Sequence, residues 1–171
     1  MGEILIKRGN IVTEDVDVIV NAANTRLAGG GGVDGAIHHA AGSSVMEECR
    51  RIGNCPTGEA VMTGAGDLKA SKIIHTPGPV WKGGKKGESG LLRSCYASSL
   101  ALAVRGGFRS IAFPSISTGV YSYPLEEAAT IALQEGLKNS GNFECIVYVC
   151  FSDHDLDVYK KIFRGLTRNQ C

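Results

Sequence analysis

Surplus charge, long apolar runs and aromatic residues are what this 171-residue chain has least of. Eighteen basic residues stand against 17 acidic ones, a formal net charge of +1. No global field draws such a chain onto nucleic acid or an anionic membrane, so an anionic ligand must be held locally. No apolar run approaches the ~20 residues needed to span a bilayer, and the opening Met1–Ile4 lacks the charged and apolar regions of a secretory signal. A cytoplasmic location without membrane contact is expected. Aromatic residues make up 6% of the chain, with Trp81 the single tryptophan, which leaves little platform for stacking bases; RNA is not an expected partner. The six cysteines (Cys49, Cys55, Cys95, Cys145, Cys150, Cys171) form no CxxC pair and have no His-rich segment beside them. Neither a zinc site nor a disulfide framework is signalled, and most are expected to be reduced and buried as small apolar residues. Repeats, linkers and composition shifts are also missing, so residues 1–171 are expected to form a single domain and, by default, a monomer.

Glycine is what the chain has in excess. Its 23 glycines are roughly twice the usual ~7%, and they cluster at Gly29–Gly35, Gly64–Gly66 and Gly83–Gly90. Clustered glycine lets the backbone approach something closely or adopt positive φ.

Val- and Ile-rich runs bounded by turn residues recur at Ile4–Lys7, Val16–Val20, Ala60–Thr63, Lys72–Thr76, Ser110–Pro114 and Glu144–Phe151, and are expected strands. Several are apolar without alternation, as in a sheet covered by helices on both faces. Helical spacing is found at Val33–Ala41, Ser43–Arg51, Leu91–Arg105, Pro124–Lys138 and Asp153–Arg164. Pro124 with Glu126 and Glu127 makes a favourable helix opening, and Gly106-Gly107 and Gly141 are natural stops. The alternation of strand and helix predicts a three-layer α/β/α sandwich around a central mixed sheet. Lys82–Gly90 reads as an exposed flexible loop whose three lysines are solvated.

The most informative stretch is Val18–Gly42, VIVNAANTRLAGGGGVDGAIHHAAG. A strand gives way to an Asn-rich turn, then four consecutive glycines, then a helix with Asp34 in its first turn. Bare backbone beside a helix N-terminus can aim several N–H groups at one anion, and the helix dipole adds about half a positive charge. This makes a phosphate cradle that needs no lysine; a merely flexible glycine loop is the plainer alternative. Gly30-x-Gly32-x-x-Gly35 also fits the dinucleotide-binding GxGxxG pattern, but Asn21–Gly29 separate it from the strand and no suitable acid follows.

A second glycine-containing loop, Pro114–Pro124, closes the strand at Ile111–Phe113 and also leads into a helix. Two such loops at one sheet edge suit a diphosphate. Tyr121 and Tyr123 are either packing residues or, for one of them, the cover of a sugar face. Asn24 and Asp34 are the polar residues nearest the first cradle. An Asn in a turn commonly serves its own backbone and an Asp at a helix start commonly caps it; together they could also orient a sugar and a water. His38, four residues after Asp34, shares its helix face.

DVDVIVNAAN, GGGGVDGAIHHAAG, CPTGEAV, IIHTPGPVW and FPSISTGVYSYP, in this order over almost the whole chain, together resemble the macro-domain family, in particular its MacroD-type branch of ADP-ribose hydrolases. The resemblance implies a mixed-sheet α/β/α sandwich that binds ADP-ribose in a cleft, with no metal and no cofactor. It implies a first phosphate loop at Gly30, Gly31, Gly32 and Val33, and a second at Ser117, Thr118, Gly119, Val120 and Tyr121, the last against the distal ribose. Asn10, Ile11, Ala22 and Phe151 join the ligand-binding set, with Phe151 stacking on adenine unless it is a core residue. Asn24, Asp34 and His38 are the implied catalytic candidates: Asn24 positions the distal ribose hydroxyls, and Asp34 orients or activates the attacking water. One position departs from the pattern. Asn10 stands where the family has an aspartate that takes the adenine amino group; an amide keeps an acceptor but loses the charge, which predicts weaker adenine binding.

The function so implied is removal of mono-ADP-ribose from acidic (Asp/Glu) side chains of proteins, with deacetylation of O-acetyl-ADP-ribose by the same ester chemistry. ADP-ribose, O-acetyl-ADP-ribose and ADP-ribosylated proteins are the expected partners. The alternative is a non-catalytic ADP-ribose reader, and a third option is an RNA or poly(ADP-ribose) binder. Asn24 and Asp34 together favour the enzyme, since a reader needs the cradles but no water-orienting acid.

Overall fold

Near-continuous apolar runs become strands buried on both faces. In the computed structural model, which describes residues 2–168, β1 (Glu3–Arg8), β2 (Val18–Ala23), β3 (Val61–Gly64), β4 (Lys72–Pro77), β5 (Ser110–Phe113) and β6 (Cys145–Cys150) form one sheet. Its order is β1-β6-β5-β2-β4-β3, and only β3 runs antiparallel to its neighbour. The helices are α1 (Gly32–Ala41), α2 (Ser43–Ile52), α3 (Glu88–Arg105), α4 (Leu125–Asn139) and α5 (Asp153–Arg168). Short 3-10 turns at Ile11–Thr13 and Ser140–Asn142 follow β1 and α4.

The two-residue period of the strands divides the core. On one face Val18, Val20, Ile74, Ile111, Phe113, Ile146 and Tyr148 pack with Leu92, Tyr96 and Leu100 of α3, Ala128 and Ala132 of α4, and Tyr159 of α5. On the other, Ile19, Ile73, Ala112, Val147 and Val149 meet Ile37 and Ala41 of α1 and Val45 and Cys49 of α2. The expected three-layer α/β/α sandwich with a mixed sheet is therefore what the chain adopts.

Element boundaries differ where polar residues continue a strand or glycine opens a helix. β2 runs to Ala23, so Asn21 lies in the strand rather than in the turn; its burial on the α1 side makes this possible only because it finds partners there. Residues 82–87 form an exposed loop with all three lysines at the surface, as expected, but α3 starts at Glu88 instead of Leu91. The buried Glu88 carboxylate accepts the backbone N–H groups of Lys82, Gly84 and Lys86 at 2.9, 2.9 and 2.6 Å, so the loop is folded around its own acid. Of the cysteines, Cys49, Cys55, Cys95 and Cys150 are buried free thiols and Cys145 is half-buried, while Cys171 lies outside the described residues. Among the described residues no helix is long and apolar enough to cross a membrane.

Candidate active site

Connections from β2 lead toward β4 on one side and those from β5 lead toward β6 on the other, so the strand order reverses between β2 and β5. These two strands pair only at Val18–Ile111 and Ile19–Ala112, and beyond that register their carboxyl ends part. A crevice at such a reversal, at the carboxyl ends of parallel strands, is where open α/β sheets hold ligands. The first glycine loop leaves β2 and enters α1, the second leaves β5 and enters α4, and the two helix N-termini flank the crevice.

The first loop is shaped by its own side chains and by glycine. Asn24 donates through Nδ2 to the Gly29 carbonyl at 2.8 Å and accepts the Ala28 N–H on Oδ1 at 3.1 Å, so both ends of its amide brace the loop. Gly32 has φ +59°, a left-handed conformation that favours glycine. Gly35 packs so tightly that a Cβ there would lie 2.5 Å from the Gly30 carbonyl oxygen. Gly30, Gly31 and Gly32 stay exposed, and Val33 is half-buried.

Asp34 does not cap its helix: the N-cap is Gly31, with no side-chain cap. The carboxylate is 7% exposed, and its Oδ1 receives Asn21 Nδ2 at 2.8 Å and faces His38 Nε2 at 3.3 Å. Oδ2 has no hydrogen bond among the described residues and points toward Gly30, at the mouth of the cradle. The buried floor continues behind it. Asn21 Nδ2 also lies 3.1 Å from His75 Nδ1, and His75 Nε2 lies 2.9 Å from Thr63 Oγ1. Burial, with the adjacent His38 as the lesser cause, pushes the His75 imidazole down to about 4, so it is neutral at neutral pH. Asn21, His75 and Thr63 were not among the sequence candidates. Parallel pairing sets Asn21 opposite His75, two chain-distant residues that no local motif connects.

His38, Cys49 and His75 have ligand-type atoms within 4.8 Å of one another, a grouping that the scattered cysteine spacing did not signal. Its chemistry does not suit a metal. Both ring nitrogens of His75 already have partners, so an ion there would have to break the contact to Asn21 or to Thr63, and burial, reinforced by Asp34 and Glu48, raises the Cys49 thiol to about 11, so that Cys49 is a protonated thiol here.

The second loop is pinned from beneath by buried tyrosines. Tyr96 accepts the Ile116 N–H on its hydroxyl at 3.3 Å, and Tyr159 donates to Ser115 Oγ at 2.9 Å, which also accepts from Thr118 Oγ1 at 2.8 Å. Ser117 takes φ +68°, a left-handed conformation unfavourable for a residue with a Cβ, and its buried hydroxyl has no partner among the described residues. Gly119 and Val120 reach outward, Val120 with 96% exposure, and half-buried Tyr121 accepts the Trp81 N–H on its carbonyl at 2.9 Å. Of the two tyrosines weighed from sequence, Tyr123 is the packing residue: it is buried with its ring 4.7 Å from Trp81.

Further along the same edge, Gly9–Ile11 follow β1 and Phe151 follows β6, joined by the Gly9 N–H bond to the Cys150 carbonyl at 3.2 Å. Phe151 is 86% exposed, which removes the core alternative for it. Asn10 is exposed and caps the 3-10 turn, its Oδ1 accepting the Val12 N–H at 3.2 Å, while Ile11 is buried beneath it. Ala22, near the end of β2, is half-buried. The carboxyl ends of β1, β6, β5 and β2 thus align, in that order, the Asn10 turn, the exposed Phe151, the second glycine-containing loop, and the first loop with its held Asp34 carboxylate. Neighbouring strands are about 4.8 Å apart, so the row spans roughly 14 Å, the scale of an elongated ligand rather than a single phosphate.

The sequence pattern of one family, the Macro domain, matches residues 20–132, which hold both loops and the Asp34 helix. The chain belongs to the macro domain family. Among its macro domain relatives, a macro domain-containing protein of Chlorobaculum tepidum is 55% identical over 157 residues, 90% of this chain and 91% of that one. A Klebsiella pneumoniae protein named O-acetyl-ADP-ribose deacetylase is 51% identical over 161 residues, 90% of this chain and 92% of that one. Among solved structures, the Oceanobacillus iheyensis macrodomain with ADP superposes with a TM-score of 0.91 at 42% identity, covering 95% of this chain and 90% of that one. The Trypanosoma brucei macrodomain in complex with ADP-ribose gives 0.86 at 42% identity, over 92% of this chain and 68% of its own.

Proposed function

We propose that this macro domain binds ADP-ribose along the row of loops and hydrolyses its esters, releasing mono-ADP-ribose from acidic side chains of proteins and acetate from O-acetyl-ADP-ribose, in the cytoplasm. The observation that carries the proposal is Asp34. Its carboxylate is buried at the cradle, held at one oxygen by Asn21 and His38, with the other oxygen open toward Gly30. A module that only binds needs the donors of the cradle and gains nothing from a fixed, partly open carboxylate beside a diphosphate, whose charge it repels.

Each part has a place in the chemistry. Backbone N–H groups of Gly30–Val33 and of Ser117–Tyr121 bind the diphosphate, assisted by the α1 and α4 dipoles. Phe151 covers the adenine. Asn24 offers the N–H it does not use in its loop to a distal ribose hydroxyl. Asp34 Oδ2 accepts a hydrogen from the attacking water and orients it toward the ester, which general-base catalysis makes on the order of 10²–10⁴-fold faster. His38 keeps the carboxylate in place from one turn further along α1.

The test pairs calorimetric titration with ADP-ribose and incubation with a glutamate-linked mono-ADP-ribosylated protein, for wild type and Asp34→Ala. Binding by both proteins, with release by wild type and a loss of at least 10²-fold in the variant, is expected. Binding without release by wild type makes the protein a reader and refutes the hydrolase.

A further inference from the structure

The buried polar residues behind Asp34 form a hydrogen-bond chain in which the direction of every donor is determined. Asp34 Oδ1 accepts from Asn21 Nδ2, so it is the donor end of the amide that faces His75 Nδ1, which must accept. The neutral His75 ring therefore carries its proton on Nε2 and donates to Thr63 Oγ1 at 2.9 Å, whose own hydrogen goes to the Gly64 carbonyl at 2.9 Å. Asn21 Nδ2 supplies both of its hydrogens, one to that Nδ1 at 3.1 Å and one to Asp34 Oδ1 at 2.8 Å. An Asn21 amide turned the other way would set its oxygen against the carboxylate, acceptor facing acceptor. Its oxygen instead stays buried with no partner among the described residues, so the contacts to Asp34 and His75 are what hold the amide in this sense.

The backbone supplies the alignment. Asn21 and His75 are register partners on β2 and β4, both on the α1 side, and Thr63 on β3 is diagonal to His75. His75 sits beneath the site with no exposed surface, and no ligand can touch it.

We propose that His75 is a positioning residue for the hydrolysis: as the neutral Nε2–H tautomer it fixes the Asn21 amide, which in turn aims the Asp34 carboxylate. The inference rests on the hydrolase reading above. It goes beyond that reading by assigning a role to Asn21, His75 and Thr63, none of which faces the substrate. A carboxylate that loses this strut keeps only the His38 contact on Oδ1 and can tilt about it, and misplacement by about 1 Å costs on the order of 10²-fold in rate.

The test compares His75→Leu, of similar size but with no acceptor, with His75→Asn, whose Oδ1 occupies the place of Nδ1 and can still accept from Asn21. His75→Leu is expected to lower kcat roughly tenfold to a hundredfold while the dissociation constant for ADP-ribose stays within about twofold. His75→Asn, although it leaves the larger cavity, is expected to recover most of kcat. That ranking separates hydrogen bonding from packing, because packing alone predicts the reverse. Thr63→Val, near-isosteric and milder, keeps the test available should His75→Leu not fold; it frees the far end of the chain and is expected to lower kcat severalfold. Long-range ¹⁵N–¹H spectra of the wild-type histidine rings read the tautomer without turnover and are expected to show Nε2–H at position 75.

An Nδ1–H ring, wild-type kcat in folded His75→Leu or, where that variant does not fold, in Thr63→Val, or a His75→Asn slower than His75→Leu overturns the inference. Failure of the parent reading looks different: wild type then releases no ADP-ribose at all while the ring still reads Nε2–H, and the positioning role falls with the hydrolase.

Discussion

Phe151 offers the cleanest separation of ligand binding from folding. At 86% exposure just past the end of β6, it contributes almost no buried area, so Phe151→Ala is expected to change stability by no more than about 0.5 kcal/mol, as surface substitutions do. For a domain of this size that is a shift in Tm of about 1–2 °C. A base stacked on an aromatic ring is worth about 1–3 kcal/mol by alanine substitution, which converts to roughly 5- to 150-fold in Kd. The assay is calorimetric titration of wild type and variant with ADP-ribose and with ribose 5-phosphate, which lacks the adenine. Affinity for ADP-ribose is expected to fall within that range, affinity for ribose 5-phosphate to stay unchanged, and Phe151→Trp to restore binding. Unchanged ADP-ribose affinity refutes the stacking role. Equal losses for the two ligands, or a fall in Tm beyond about 5 °C, would mean that the substitution disturbs the loops and not the stack.

Asn10→Asp is expected to tighten ADP-ribose binding by about 1 kcal/mol, roughly fivefold, because Asn10 Oδ1 is already taken by the Val12 N–H and an aspartate adds a second, charged acceptor; an unchanged titration would sink this account. Gly35→Ala places a Cβ 2.5 Å from the Gly30 carbonyl oxygen and is expected to lower stability by about 1–3 kcal/mol and to weaken ADP-ribose binding together, measured by urea unfolding and titration. Loss of one without the other separates the packing of the cradle from its shape. Stability is also expected to decline as pH falls below 6.5 and to level off near pH 4: the unfolded His75 takes up a proton over that range while the buried ring, held down to about 4, does not, a difference of about 3 kcal/mol. His75→Asn, with nothing to titrate, should lose that part of the slope, and an unaltered slope would assign the pH dependence to other groups.

Much of the architecture is legible because strand and helix periods differ and because apolar runs such as VIVNAA and CIVYVC are buried on both faces. The first loop is legible for a different reason, since a glycine cluster ahead of a helix has few structural uses; the second, with the single Gly119, shows as the break between the apolar Ile111–Phe113 and the helix opening at Pro124. Lysine, glycine and serine rightly describe residues 82–87 as solvated, but the buried Glu88 that follows was not legible, because whether it faces in or out depends on the three N–H groups the loop itself presents. The floor of the site was hidden more deeply. Thr63 and His75 each look like an isolated polar residue in an apolar strand and Asn21 like the start of a turn, and they become one chain only when β2, β4 and β3 pair in register, across separations of 54 and 12 residues.

Asn24 shows why serving the fold and serving a ligand are poor alternatives for a residue of this kind. From sequence, a turn asparagine that bonds its own backbone is a structural residue and one that meets a sugar is a functional residue. In the folded chain Oδ1 is taken by Ala28 and one hydrogen of Nδ2 by Gly29, which leaves one N–H. Because the other two contacts fix the amide plane, that remaining donor has a single direction, and a ligand that meets it does not have to order a free side chain first. The same holds for Asp34, where Asn21 and His38 occupy one oxygen and leave the other aimed at the cradle. In both residues the local hydrogen bonds that argue for a purely structural role are what would make the unused atom effective, so in the proposed hydrolysis the chemistry falls to the valences the fold leaves over.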